Sequence, residues 1–241
     1  MVESFQAYKA KAKSVSCGEK HSLILTDDGE VLSCGVGEYG RLGTGSTTDS
    51  TQPVTIESLL DFDIVQVVAG ASHSLALTGD GQIFAWGRND MGQLGAGDSF
   101  MDIYSMEDYP RLIDSDSMHG KVVISVAAGK GRSAAITKDG ELFIWGNKLH
   151  HEPLKVDLPE QCKVVNVYCG GSSGRHCIAI ITDDGGLWTM GEGASNMIGR
   201  MDSKTKNPTF ERVPGLVGKQ VLEVAMGTGN HILALVAESS E

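Results

Sequence analysis

The sequence predicts an all-β protein, a β-propeller of about four and a half four-stranded blades. Three observations support this fold class: a hairpin pattern that recurs along the chain, a spacing of about 52 residues between copies, and glycines at fixed places in each copy. The side-chain alternation of the hairpins excludes a helical solenoid. Because one blade cannot bury both faces of its sheet, the copies must stack on one another.

The second copy shows the unit most plainly, in the stretch VVAGASHSLALTGDGQIFAWGRNDMGQLGAG at residues 67–97. Alternation predicts strands at 73–78 and 82–86, and Gly79-Asp80-Gly81 between them is a tight hairpin signal. An inner strand is expected at 64–69 and an outer strand near 111–114. The glycines between Gly87 and Gly97 predict a loop that folds back sharply.

The other copies are found by matching the glycine that precedes each hairpin and the Asp-Gly pair within it. The preceding glycine recurs at Gly18, Gly70, Gly129, Gly170 and Gly227. The Asp-Gly pairs begin at Asp28, Asp80, Asp139 and Asp184. After a polar leader at 1–13, the predicted blades span 14–60, 61–120, 121–160 and 161–215, with a partial blade at 216–241.

The composition of the 241-residue chain, with 41% hydrophobic residues and 31 glycines, fits one turn-rich globular β domain. No apolar run approaches the roughly 20 residues of a membrane helix, and the first residues lack the apolar core of a secretory signal. We therefore expect no membrane association and a cytoplasmic or nuclear location. The formal net charge of −11 disfavours direct nucleic-acid binding and favours a basic or mixed-charge protein partner.

The five cysteines include no CxxC pair. Cys17, Cys34 and Cys169 stand at repeat positions that other copies fill with ordinary packing residues. The sequence therefore predicts buried thiols, with no metal site and no cofactor.

The motif from Gly87 to Gly97, following the hairpin at 73–86, resembles the repeat of the regulator of chromosome condensation (RCC1) family, and Gly35 to Gly45 is a second good copy. Members of that family usually close seven blades. Seven steps at this spacing need roughly 360 residues. The resemblance therefore implies an incomplete arc of a seven-bladed propeller.

A histidine, or an arginine in the third copy, recurs beside the hairpin, and two interpretations stay open. It is either a structural hydrogen-bond anchor or, as the resemblance to exchange-factor members implies, part of the face that meets a GTPase. The acidic and apolar insertion at 98–120 adds aromatic candidates. The candidate partner-binding residues are His21, His73, Arg132, Arg175, His176, His231, Phe100 and Tyr104.

No catalytic motif is present, since the HHE at 150–152 lacks the spacing of a zinc helix and no nucleophile elbow occurs. We predict no catalytic residues and no enzyme activity. The leading hypothesis is an interaction module that binds a protein partner through inter-blade loops. The first alternative is a guanine-nucleotide exchange factor for a Ran-like small GTPase, and the second is a substrate-recruiting arm of a ubiquitin ligase.

Overall fold

The computed structural model describes residues 11–97, 105–158, 162–172, 175–192, 198–200, 206–226 and 232–237. Within these residues the chain forms consecutive antiparallel blades. The first contains β1 (Ala12–Cys17), β2 (His21–Thr26), β3 (Val31–Gly35) and β4 (Ser50–Thr55). The second contains β5 (Ile64–Ala69), β6 (His73–Thr78), β7 (Ile83–Arg88) and β8 (Met106–Leu112).

The later blades repeat this order. The third contains β9 (Val123–Ala128), β10 (Arg132–Thr137), β11 (Leu142–Gly146) and β12 (His150–Val156). The fourth contains β13 (Val164–Ser172), β14 (Arg175–Thr182), β15 (Leu187–Glu192) and β16 (Lys206–Arg212). A two-stranded sheet follows, with β17 (Val221–Met226) and β18 (Ile232–Val236). Short 3₁₀ turns lie at Glu38–Gly40, Glu57–Leu59, Asp116–Met118 and Pro214–Leu216.

Within each blade every strand pairs with the next one along the chain, which confirms the predicted all-β fold of four-stranded blades. Successive strands run in opposite directions, so the connections of a blade alternate between two ends of its sheet. We call one end the loop face, formed by the β1–β2 and β3–β4 type connections. The described residues of the loop face are 18–20, 36–49, 70–72, 89–97, 105, 129–131, 147–149 and 198–200.

The opposite end is the turn face, formed by the Asp-Gly turns and the connections from one blade to the next. Its described residues are 27–30, 56–63, 79–82, 113–122, 138–141, 157–158, 162–163, 183–186 and 213–220. Each described turn is tied to the following blade or to its own inner strand by backbone hydrogen bonds. The amide of Val164 donates to the Gly140 carbonyl at 3.0 Å, and the amide of Val221 donates to the Gly185 carbonyl at 3.0 Å.

The hydrophobic core lies between blades. Leu23 and Leu25 of the first blade pack with Phe84 and Trp86 of the second in one buried cluster. Leu75 of the second blade occupies the next cluster, together with aromatic residues of the third. The same arrangement continues to the two-stranded sheet, where β14 residues pack against β17. The blades are therefore held to one another by burial of apolar side chains.

Two predicted boundaries were wrong. The outer strand β8 begins at Met106, earlier than the predicted 111. The hairpin strands carry a local turn signal, whereas an outer strand begins where the preceding loop returns to the sheet, which no local pattern marks. The predicted leader at 1–13 also overlaps β1, which begins at Ala12. None of the helical segments in the described ranges is long and apolar enough to cross a membrane.

Candidate functional site

The recurring histidines join one blade to the next. His73 begins β6 and is fully buried, and its Nε2 lies 2.9 Å from Oγ of Ser133 in the third blade. His21 makes the same contact one blade earlier, with Nε2 2.9 Å from Oγ of Ser74. The serine hydroxyl then donates to a backbone carbonyl of the preceding blade's glycine loop, from Ser133 to Gln93 at 2.8 Å and from Ser74 to Arg41 at 3.0 Å.

This geometry assigns the protonation of both imidazoles. A serine has one hydroxyl hydrogen, and in each case it is directed to the carbonyl, so Nε2 of His21 and His73 must be the donor to the serine. Nδ1 is then an unprotonated acceptor, buried and packed close to Gly18 or Gly70. Burial lowers the pKa of His73 to about 3, and burial with the nearby Arg41 charge lowers the pKa of His21 to about 4. Both rings are neutral at physiological pH.

A tryptophan completes each of these contacts. Nε1 of Trp86 donates to the Arg41 carbonyl at 3.0 Å, the same oxygen that accepts from Ser74. Nε1 of Trp145 likewise donates at 2.9 Å to the carbonyl of Gln93. We call this set the inter-blade tie: a histidine and a loop carbonyl of one blade with a serine and a tryptophan of the next.

The glycine loop is shaped by the inter-blade tie. Gly43 and Gly95 adopt left-handed φ angles of +72° and +70°. An added Cβ would lie 2.7 Å from Nε1 of Trp86 at Gly43 and 2.9 Å from Nε1 of Trp145 at Gly95. A side chain would therefore prevent the loop from lying flat on the indole of the next blade.

The contact between the third and fourth blades replaces the tie with apolar packing. In the third blade the glycine loop is reduced to a tight turn, in which Asn147 and Lys148 have φ angles of +57° and +59°. In the fourth blade Ile178 pairs with Met190 where Ser133 pairs with Trp145. The side chains of Ile178 and Met190 carry no hydrogen-bond donor and lie in a buried apolar cluster between the third and fourth blades, so these positions leave no buried donor without a partner.

The prediction that His176 holds the repeat position of His73 is wrong by one residue. Cys177 pairs with Gly191 as His73 pairs with Gly87, so Cys177 holds the repeat position of the histidine. The cause is an extended β13–β14 hairpin, in which two further pairs, Gly171 with His176 and Ser172 with Arg175, precede that position.

The predicted site residues fall into three groups. His21, His73, Arg132 and His176 are buried. The backbone of Arg175 opens β14, whereas Phe100, Tyr104 and His231 lie outside the described residues. Partner contact by these residues stays a prediction, and the geometry of His21 and His73 favours the structural-anchor alternative.

A partly buried contact between Tyr39 and two arginines on the loop face was missed by sequence reasoning. The guanidinium of Arg88 lies 4.6 Å from the ring centre of Tyr39, and the guanidinium of Arg41 lies 5.6 Å from the same ring centre. Arg88 also pairs with Asp90 at 2.7 Å. A signal was available, because Tyr39 stands where the second copy has Met91, and a residue that breaks a repeat marks a surface special to one blade.

A groove of about 320 Å³ lies where the innermost strands end at the loop face. Its lining comes from all five blades and includes Cys17, Glu19, Ala71, Lys130, Cys169 and Met226. Backbone bonds between neighbouring blades form its rim, with the amide of Glu19 donating to the Ala71 carbonyl at 3.3 Å. The groove therefore carries both charges and apolar surface.

The cysteines are free thiols in different environments. Cys34 and Cys177 are buried, Cys162 and Cys169 are partly buried, and Cys17 is exposed. The buried thiol predicted for Cys17 is thus wrong, because β1 is largely exposed in the first blade. Burial raises the pKa of Cys169 and of Cys177 to about 12, so both stay protonated and unreactive. Among the residues described, no three His, Cys, Asp or Glu side chains cluster in a way that could hold a metal.

The stacked blades and their glycine loops define a repeat propeller. The chain belongs to the regulator of chromosome condensation (RCC1) repeat family, whose models match residues 28–77 and 80–136, and also 12–41 and 64–93.

Two relatives illustrate the similarity. The E3 ubiquitin-protein ligase HERC2 of Homo sapiens is 32% identical over 242 residues, covering 95% of this chain and 5% of that protein. The Probable E3 ubiquitin-protein ligase HERC3 of Homo sapiens is 37% identical over 289 residues, covering 94% of this chain and 26% of that protein. The chain thus matches only a small part of each relative's length.

Solved structures show the same architecture. Human WBSCR16 superimposes with a TM-score of 0.81 at 26% identity, covering 96% of this chain and 59% of that one. Prp20p from Saccharomyces cerevisiae, described with its binding to Gsp1p and histones, gives a TM-score of 0.82 at 19% identity, with 97% and 57% covered. The latter likeness concerns the fold alone.

Proposed function

We propose that this chain is an interaction module that binds a protein partner through its loop face, without chemistry on that partner. One observation carries the proposal. The repeated polar side chains of the family motif are used inside the molecule, in the inter-blade ties, whereas the exposed residues of the loop face differ from blade to blade. A rigid repeated scaffold with variable surface loops is typical of binding proteins.

The variable residues supply contacts of several kinds. The first blade presents Glu19 and Lys20, and the third presents Lys148 and Leu149, the latter 62% exposed. Tyr39, held by Arg88 and Arg41, adds an aromatic surface whose side chain is already fixed. Tyrosine and arginine are enriched among residues that dominate binding energy, and a pre-ordered side chain loses little entropy on binding.

The test is capture of partners from cell extract by the wild-type chain and by a loop-face variant, Lys20→Ala with Lys148→Ala and Leu149→Ala. Quantitative mass spectrometry should show at least one partner reduced severalfold. The matched control truncates exposed outer-strand residues, Thr51→Ala with Gln52→Ala and Leu154→Ala. Equal capture by all three proteins would refute the loop face as the binding surface.

A finer form of the proposal is the substrate-recruiting arm of a ubiquitin ligase. It rests on the relatives at 32% and 37% identity whose names describe ligases. In this form, proteins captured through the loop face should become less ubiquitinated in cells that express the Lys20→Ala, Lys148→Ala, Leu149→Ala variant instead of the wild type. Unchanged ubiquitination of a captured protein would contradict this form while leaving the interaction module standing.

One observation favours guanine-nucleotide exchange as a second candidate. The resembled exchange factor uses an inserted β-hairpin as a wedge, and the β13–β14 hairpin is three pairs longer here than its counterpart in the second blade. The assay is release of a fluorescent nucleotide from a Ran-type GTPase. We expect no acceleration by the purified chain. Acceleration that is lost when residues 172–175 are replaced by a two-residue Asn-Gly turn would favour exchange over binding alone.

A further inference from the structure

We propose that the turn face is a second interaction surface, which takes a basic segment of a protein partner that also carries apolar side chains. This surface lies on the opposite end of the blades from the loop face. The inference therefore goes beyond the proposed function and does not depend on it.

The first supporting observation is a set of exposed apolar residues at β-bulges. The innermost strands shift register one residue after they begin, and the residue at the bulge is left unpaired. In blades two to five this residue is apolar and half exposed, although the neighbours on either side take part in the sheet. The bulge residues are Val65 (41% exposed), Ile124 (50%), Val165 (43%) and Leu222 (49%).

The strands that carry the bulge residues lie next to one another, with β5 beside β9, β9 beside β13 and β13 beside β17. The side-chain amide of Gln66, next to the Val65 bulge, donates to the Val126 carbonyl at 3.1 Å and accepts from the Val126 amide at 3.0 Å. Three of the bulges follow directly after a strand start whose amide donates to an Asp-Gly turn of the preceding blade, from Val123 to Gly81, from Val164 to Gly140 and from Val221 to Gly185. The bulges thus surround the centre of the turn face.

More apolar surface extends outward from this centre. The connections between blades expose Leu60, Phe62, Val122 and Val217. Among the described loop-face connections Leu149 is the exposed large apolar residue, and Met106 and Leu233 are exposed at strand ends beside that face. Clustering of exposed apolar side chains on one end of a protein marks an interaction surface.

The second observation is charge. Carboxylates surround the apolar centre and outnumber the exposed lysines of the same face. The exposed carboxylates are those of Asp27, Asp28, Glu57, Asp61, Asp63, Asp80, Asp114, Asp116, Asp139, Asp157, Asp183 and Asp184. The exposed lysines there are Lys138, Lys163 and Lys219. Much of the chain's net charge of −11 is therefore concentrated on the turn face.

Charge complementarity selects the occupant. Lysine and arginine on the partner would meet the carboxylates, and apolar residues between them would meet the bulge side chains. A nucleic acid would be repelled by this face. A second copy of the chain would present the same acidic surface and would also be repelled.

The test is fluorescence anisotropy with a labelled 14-residue peptide of alternating lysine and leucine, measured against the whole chain. The charge variant is Asp80→Asn with Asp116→Asn and Asp139→Asn, where asparagine keeps a side-chain oxygen as acceptor. Its control removes the same charge from the loop face, with Glu19→Gln, Glu38→Gln and Asp49→Asn. We expect the turn-face charge variant to raise the Kd of the peptide about tenfold, because it loses three exposed charge contacts.

A second pair of variants tests the apolar part. Ile124→Ser with Val165→Ser removes two bulge side chains, and Val54→Ser with Leu154→Ser removes two exposed outer-strand side chains as the control. We expect the bulge variant to weaken binding of the lysine–leucine peptide about fivefold and to leave the Kd of an all-lysine peptide nearly unchanged. Thermal unfolding with one transition near the wild-type midpoint would show that each variant is folded.

Equal weakening by the turn-face and loop-face charge variants would overturn the proposal, since binding would then follow net charge alone. An unchanged Kd with the bulge variant would also overturn it. Neither result bears on partner capture through the loop face, because that experiment changes different residues.

Discussion

Nε2 of His73 lies 2.9 Å from Oγ of Ser133, and the two fully buried residues are sixty positions apart in neighbouring blades. The serine hydroxyl is committed to the Gln93 carbonyl, so the neutral imidazole is the donor. A motif that repeats in sequence is thereby used between repeats. The motif occurs once in each blade, but the contacts that it makes stabilise the interface between two blades.

Removing the serine of one tie should destabilise the chain. Ser74→Ala takes away the acceptor of His21 Nε2 and one donor to the Arg41 carbonyl, in a buried site. We expect a loss of about 1–3 kcal/mol in the free energy of unfolding, measured by urea denaturation. The exposed Ser58→Ala is the control and should change it by less than about 0.5 kcal/mol. Equal stability of the two variants would contradict the tie at the first interface.

Stability should fall on mild acidification. The pKa of His21 is lowered to about 4 and that of His73 to about 3 in the folded chain, against 6.5 for an ordinary histidine. The unfolded state therefore binds more protons, and the contribution of each ring is complete above pH 6.5 and is lost as the pH falls toward the folded value. Lowering the pH from 7.5 to 5.5 should reduce the free energy of unfolding by about 1.4 kcal/mol for each histidine.

Denaturation of His73→Gln at the two pH values isolates one of these contributions. Glutamine can still donate to Ser133 but does not titrate, so its pH dependence should be shallower by about 1.4 kcal/mol. A variant with the same pH dependence as the wild type would show that His73 is not buried in its neutral form.

Two glycines with the same backbone angle provide a matched comparison. Gly95 and Gly120 have φ angles of +70° and +71°, so alanine pays a similar conformational cost at both. At Gly95 the new methyl would lie 2.9 Å from Trp145 Nε1, whereas at Gly120 nothing lies within 4 Å. Gly120→Ala should lower the free energy of unfolding by about 1 kcal/mol, and Gly95→Ala should lower it clearly more. Similar unfolding free energies for the two variants would contradict the fit of the glycine loop on the indole.

The third interface should not accept a serine. Ile178→Ser places a hydroxyl in a buried apolar cluster beside the shortened loop at 147–149, and it also removes a fully buried side chain. We expect a loss of about 3 kcal/mol or more, against about 1 kcal/mol for the control Ile178→Val. A serine variant as stable as the valine variant would show that a carbonyl is within reach after all.

The fold could be predicted from the sequence because its signals are local and repeated. The alternation in 73–78 and the Asp80-Gly81 turn identify a hairpin without any knowledge of the rest, and recurrence shows that hairpins stack. The partners of His73 could not be predicted in the same way. Its partner Ser133 is sixty residues away. The carbonyl that Ser133 shares with Trp145 belongs to the backbone of Gln93, and a backbone group carries no sequence signal.

The misplacement of His176 has a related cause. Spacing alone favours His176 because a histidine is present near the expected place, but the register of β14 against β15 puts Cys177 there. A longer hairpin shifts positions without leaving a mark in composition. Charge shows the same limit, since the sequence predicts a basic or mixed-charge partner, but only the strand directions place the carboxylates of Asp80 and Asp139 on one face.

The most direct test of the account is a double-mutant cycle on the free energy of unfolding, with His73→Ala, Ser133→Ala and both together. The matched cycle pairs Ser133→Ala with the exposed His119→Ala. If the histidines are ties between blades, the first cycle gives a coupling of about 1–2 kcal/mol, and the second is additive to within about 0.5 kcal/mol. An additive result for His73 and Ser133, with little loss of stability in either single variant, would contradict the structural role of the repeated histidine.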